Sequence, residues 1–221
     1  MTVQQAKYED IRGLLQPGDV FVFSGKEFIS DSIKVYTGGI PAALEGKAVP
    51  SHIATVYKRV QDGTMRVYLI ECTTDDVTAD PKAAHTGVQI SLASARLSYP
   101  GSVYALLLND VERMKFDETA FNAFCTAHEG DKYDKGEIVK MALDPLGVFR
   151  VKDNYLSFVC SGFASALQKA EGFLSATVNT HAITPEDEVV LKLWKDPYFQ
   201  FTGKPAELYN FNTQDAASFE R

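Results

Sequence analysis

Sulfur and tryptophan are scarce in this chain: its 221 residues include three cysteines, four methionines and one tryptophan. The thiols, Cys72, Cys125 and Cys160, cannot all pair, and they form neither a CxxC step nor a Cys/His set with zinc-ligand spacing. Such usage speaks against a disulfide scaffold and a structural metal, and favours free thiols in a reducing compartment. No cofactor and no metal are expected. No apolar run comes near the roughly 20 residues of a bilayer-spanning helix. The opening stretch MTVQQAKYEDIRGLL lacks a basic segment followed by an apolar one, so no signal peptide is read and a cytoplasmic location is expected. Excess positive charge is missing too, with 22 Lys and Arg against 29 Asp and Glu, a formal charge of −7 and a pI of about 5.1. A chain so acidic offers no broad basic face for nucleic acid or anionic lipid. Neither nucleic acid nor an integral membrane segment is therefore expected.

What is present is ordinary globular composition, 45% hydrophobic and 23% charged, in a length that suits one domain over residues 1–221. The turn signal Pro17-Gly18-Asp19 leads into Val20-Phe21-Val22-Phe23, which reads as a buried strand. Phe28, Ile29, Ile33 and Tyr36 sit near helical spacing and predict a short helix over Glu27–Tyr36, ended by Gly38-Gly39 and Pro41. Residues 51–57 and 66–72, joined by a turn with Asp62-Gly63, predict a β-hairpin, and 88–92 and 102–108 predict two further strands. Five strands mostly in hairpin order predict an antiparallel sheet. Beyond them, Phe116, Ala120, Phe121, Phe124 and Cys125 mark an amphipathic helix stopped by Gly130, and a second helix begins at or just before Cys160. Thr184-Pro185-Glu186-Asp187 is a cap-then-proline helix start, and Trp194–Phe201 has strand character. The fold class is α+β.

Three residues could carry chemistry. A cysteine at a helix start gains thiolate character from unpaired backbone N–H groups and the helix dipole, and its own N–H can face an oxyanion, so Cys160 is the candidate nucleophile. Its small neighbours Ser161 and Gly162 leave the backbone approachable. His52 opens a strand, where an imidazole can overlook a cleft. Glu71 ends the face that Val67 and Leu69 begin on the next strand. Antiparallel pairing brings the start of the first strand to the end of the second, hence His52 towards Glu71, and a carboxylate accepting the second imidazole N–H is the third member of a triad. Each residue also has a bland reading: Cys160 as helix packing, His52 as a structural histidine, Glu71 as a solvated strand end. Cys72 is the rival nucleophile, though alternation turns it to the opposite face, and Cys125 lies on an apolar helix stripe. His85, His128 and His181 have surface or loop roles by default, with His181 as reserve base.

In order, Gln16-Pro17-Gly18-Asp19-Val20, Ser51-His52-Ile53-Ala54-Thr55-Val56, Ile70-Glu71, Gly130-Asp131-Lys132-Tyr133-Asp134 and Val159-Cys160-Ser161-Gly162 resemble the circularly permuted branch of the NlpC superfamily of papain-like cysteine hydrolases. The likeness spans roughly residues 15 to 190, and Thr184-Pro185-Glu186-Asp187 resembles the family's ending. One departure is Ser161-Gly162, where relatives often carry Ser-Glu. The resemblance implies a small antiparallel sheet or half-barrel packed by helices, with the histidine strand before the cysteine helix and Cys160, His52 and Glu71 as catalytic triad. It also implies cleavage of an amide bond through a thioester acyl-enzyme, with a small peptide, a cell-wall peptide or an acyl-amide as the expected substrate partner. Acyl transfer or lipid-ester hydrolysis by the same triad, or a silent binding module, stay open as alternatives.

Overall fold

Val20-Phe21-Val22-Phe23 is apolar at every position because both faces of its strand are covered. Val20 and Val22 pack with Ile53, Tyr104, Leu106 and Trp194 on one side, and Phe21 and Phe23 with Ala54, Val56, Leu69 and Ala105 on the other. A strand buried on both sides loses the alternation of a half-exposed one. The structure is a computed structural model that describes residues 3–25, 42, 44–75, 86–133, 157–216 and 219. Its strands are β1 (Val3–Gln5), β2 (Val20–Gly25), β3 (His52–Gln61), β4 (Thr64–Thr73), β5 (Gly87–Leu92), β6 (Gly101–Leu106), β7 (Lys132–Tyr133), β8 (Ser157–Phe158) and β9 (Tyr198–Thr202). Seven form one sheet in the order β1-β9-β6-β2-β3-β4-β5, with β2 at its centre, and β7 pairs with β8 apart from it.

The five expected strands are present, and β6-β2-β3-β4-β5 pair antiparallel. The sheet is nevertheless mixed, which corrects the antiparallel expectation: β1 runs parallel to β9, with Val3 opposite Tyr198. A three-residue strand carries no readable period, so its partner was not legible. Asp62 and Gly63 both adopt positive φ, 51° and 72°, as the tight turn joining β3 to β4 requires. The expected helix over Glu27–Tyr36 and its Gly38-Gly39-Pro41 stop lie outside the described residues, as do His85 and Asp134.

Five helices are described: α1 (Tyr8–Ile11), α2 (Asp110–Lys115), α3 (Glu118–His128), α4 (Cys160–Ala170) and α5 (Pro185–Val190). The amphipathic helix is α3; Asp117 caps it by accepting from the Thr119 and Ala120 amides at 2.9 and 3.0 Å, and Gly130 follows it at φ 90°. Thr184 and Asp187 close a reciprocal capping box at the start of α5. Helix α4 presents Phe163, Ala166 and Leu167 to Tyr68, Ile70 and Cys72 on one face of the sheet, while Tyr8 and Ile11 of α1 pack on the other. In the Pro17-Gly18-Asp19 turn, Gly18 has φ 86°, and an added Cβ would lie 2.6 Å from the Phe116 ring. Asp19 is buried there; it accepts from the Leu108 and Gln16 amides at 2.9 and 2.7 Å and pairs with Arg113.

A buried polar staple ties α4 to α5. Glu188 is fully buried; Gln168 Nε2 donates to its Oε2 at 2.6 Å, and Ser165 Oγ contacts its Oε1. Ser165 Oγ also lies 2.7 Å from the Ser161 carbonyl, yet a hydroxyl has one proton to give. If that proton goes to Ser161, the carboxyl must donate to Ser165, so the arrangement is complete when Glu188 is a neutral acid. Burial pushes its pKa up to about 7, opposed by the Ser165 and Gln168 bonds and aided by the charge of Asp187. Below the ordinary value of 4.5 both folded and unfolded chains hold this proton; between 4.5 and about 7 only the folded chain does. The unfolded state then gains by ionising, and stability falls as pH rises across that window, by roughly 3 kcal/mol in all. Glu188→Gln is expected to flatten this part of the stability curve in urea titrations at pH 4.5 to 7.5; an unchanged slope in the folded variant would show that Glu188 is ionised in the native state.

Candidate active site

The start of β3 is fixed before its histidine is used. Ser51 Oγ accepts from the Gly25 amide and contacts the Phe23 carbonyl, both at 3.2 Å, tying the strand to β2. His52 then pairs with Phe23 across the strands, and the Phe23 ring lies 5.4 Å from the imidazole. In the next strand pair Thr55 faces Ile70. One step further along that register puts Glu71 opposite Ala54, diagonal to His52 on the same face. His52 Nε2–H donates to Glu71 Oε2 at 2.7 Å.

Glu71 is a closed charge rather than a solvated strand end: it is 0% exposed. Its Oε2 also accepts from Arg96 Nη2 at 2.9 Å, and its Oε1 accepts from Ser91 Oγ at 3.0 Å. Burial alone would raise its pKa. The bond and charge of His52, then Arg96 and Ser91, more than reverse this and hold the carboxyl below its ordinary value.

Cys160 is the first residue of α4. Val159 before it is extended, with φ −101° and ψ 167°, and no side chain caps the helix start, so this end can receive negative charge. Cys160 is 5% exposed and hydrogen-bonded to His52. With Nε2 occupied by Glu71, Nδ1 is the ring nitrogen left for the thiol. Burial is the largest influence on His52 and pulls its pKa down; the charge and bond of Cys160, followed by those of Glu71, overcome it and raise it to about 9. The arrangement can hold an imidazolium beside the Glu71 carboxylate at neutral pH.

The other candidates lie elsewhere. Cys72 and Cys125 are buried with Ile70, Phe121 and Leu167, and burial pushes the Cys125 thiol up to about 12. His128, the last residue of α3, bonds through Nδ1 to Asp131 Oδ2 at 2.7 Å, with the tilted Phe124 ring centred 4.3 Å away. His181 belongs to the 3-10 turn Thr180–Ala182. Among the described residues no group of three His, Cys, Asp or Glu side chains could hold a metal ion, and no helix is long and apolar enough to cross a membrane.

Two members of the site were missed in the sequence. Ser91 belongs to the alternation Val88-Gln89-Ile90-Ser91, in which polar residues ordinarily face water; here Gln89 and Ser91 are buried on the face of Glu71. Arg96 lies in a single 3-10 turn, Ala95–Ser98, with no period to mark it. Fold and site together define a mixed α+β protein with a cysteine on a helix start and a histidine–carboxylate pair on adjacent strands. No protein-family model and no curated protein matches the chain.

Brief iodoacetamide labelling at neutral pH is expected to modify Cys160 about tenfold or more ahead of Cys72 and Cys125, because Cys160 stands at an uncapped helix start with the His52 imidazole beside it. Peptide mass spectrometry reads the order of labelling, and Cys72 labelled first would displace Cys160 as nucleophile.

Proposed function

We propose that the chain is a cysteine hydrolase of circularly permuted papain-like type that cleaves an amide bond, in a peptide, a cell-wall peptide or an acyl-amide. One observation carries the reading: the same imidazole is bonded to Glu71 on one side and to Cys160 on the other. Cys160 and His52 are its catalytic residues, and Glu71 orients the histidine. The order of the motifs along the chain supports the permuted assignment. Three free thiols support action in a reducing compartment such as the cytoplasm.

In the first step the Cys160 sulfur attacks the carbonyl carbon and the C–S bond forms. The C–N bond then breaks, and the His52 proton passes to the departing amine, leaving a neutral imidazole. The Cys160 backbone N–H, at the uncapped helix start, is placed to donate to the oxyanion. In the second step a water gives its proton to His52 while its oxygen attacks the thioester. The C–S bond breaks, the carboxylic acid leaves, and the sulfur anion and imidazolium are restored. Glu71 keeps the ring oriented throughout and remains ionised.

The test follows intact mass while the protein meets activated peptidyl and long-chain acyl donors. A hydrolase shows an adduct on Cys160 that His52→Ala prevents and that decays in water. Glu71→Gln should slow its formation by about tenfold or more, and Glu71→Ala further, because an amide still accepts from the imidazole without stabilising its charge. An adduct that persists until an amine or lysophospholipid is added would replace hydrolysis by acyl transfer. Inertness of a folded, reduced protein towards every donor would leave a binding module.

A further inference from the structure

The proposed cycle passes through a stage in which His52 is neutral, and at that stage Glu71 is an anion with no exposed surface. A buried carboxylate without a counter-charge is costly enough that it ordinarily takes up a proton. Ser91 gives it a neutral hydrogen bond only. The remaining partner is Arg96, whose guanidinium bonds the same Oε2 atom that His52 uses, at 2.9 Å against 2.7 Å. Arg96 is itself buried, and its central carbon lies 5.0 Å from the centre of the Phe23 ring and 5.9 Å from that of Tyr99. Phe23 in turn packs on the His52 ring. The cation is therefore held by aromatic faces and a carboxylate, with its Nε buried and unbonded among the described residues. Burying an arginine with one nitrogen unsatisfied makes little sense as packing and good sense as fixed charge.

We propose, on the hydrolase reading above, that Arg96 is a positioning residue that serves as the permanent counter-ion of Glu71, keeping it ionised when His52 has given up its proton and so letting the imidazole act as a base. Among the described residues the titratable and charged groups around His52 are Glu71 from β4, Cys160 from α4 and, through Glu71, Arg96. His52 and Glu71 bind one proton as a pair, and a fixed positive charge on Oε2 weakens that binding. Without Arg96 the pair holds its proton more tightly, whether it rests on nitrogen or oxygen, and the free base appears only at higher pH. The water-activating step needs that free base and slows the most.

The decisive measurement is an NMR pH titration of the His52 ring and the Glu71 carboxyl carbon, which needs no substrate. In the parent, the Glu71 carbon should keep its carboxylate shift while His52 loses its proton. In Arg96→Met the His52 midpoint should rise by about one unit or more, a tenfold tighter hold on the proton, whereas Arg96→Lys, which keeps the charge, should stay within about half a unit of the parent. The decay of the Cys160 adduct should slow in Arg96→Met more than its formation does. A midpoint unchanged or lowered in Arg96→Met overturns the inference; should that variant not fold, a parent Glu71 carbon that takes up a proton as His52 becomes neutral overturns it equally. If the parent Cys160 forms no adduct while the midpoint still moves, the hydrolase reading fails and the counter-ion role of Arg96 survives.

Discussion

A negative charge sealed inside the sheet is the constraint on which the site depends. Glu71 lies on the face built from Leu69, Ala54 and Val56, where water does not reach it, and a carboxylate there persists only if its oxygens are supplied with donors. Three residues supply them from three elements: His52 at the start of β3, Ser91 on β5 and Arg96 in the turn before β6. Meeting that demand fixes the imidazole, because its Nε2 is committed to the carboxylate and only Nδ1 remains for Cys160. The orientation of the histidine follows from the burial of its neighbour.

Glu188 shows what a buried carboxyl does without such partners. Among the described residues it meets a hydroxyl and an amide and no cation, and its pKa moves up, whereas that of Glu71 moves down. The first behaves as a neutral hydrogen-bonding group joining α4 to α5, and the second as a charge. Two glutamates at similar depth thus separate into scaffold and site by the company they keep. Glu188 steadies the helix that carries Cys160 at its far end, so the thiol is held by a polar contact that takes no part in the proposed chemistry.

Much of this was legible along the chain because strand and turn chemistry is local. The Asp62-Gly63 turn sets the β3-β4 register, and that register sends His52 towards Glu71. The helix start at Cys160, the cap-then-proline start at Thr184-Pro185 and the stop at Gly130 are equally local signals. What could not be read depends on distant covering. Ser91 looks solvent-facing until both sides of the sheet are seen to be buried, and the parallel β1-β9 pair joins opposite ends of the chain. Arg96 reads as an ordinary surface arginine because nothing in Ser94-Ala95-Arg96-Leu97 announces the aromatic rings that receive it.

Cys160 and Glu71 share one imidazole, and the thermodynamic coupling between the thiol and His52 is the sharpest measure of that sharing. A pKa raised to about 9 means that His52 contributes stability fully present below its ordinary value of 6.5 and lost as pH rises through 9. Cys160 supplies the largest part of that upward pull, against a burial effect that acts downward. Replacing Cys160 by alanine and following the His52 ring by NMR should therefore lower its titration midpoint by about one unit or more while leaving the low-field Nε2 proton of the Glu71 bond in place. A midpoint in Cys160→Ala equal to that of the parent would show that the thiol and the imidazole do not interact, and the proposed triad would be reduced to a histidine–carboxylate pair.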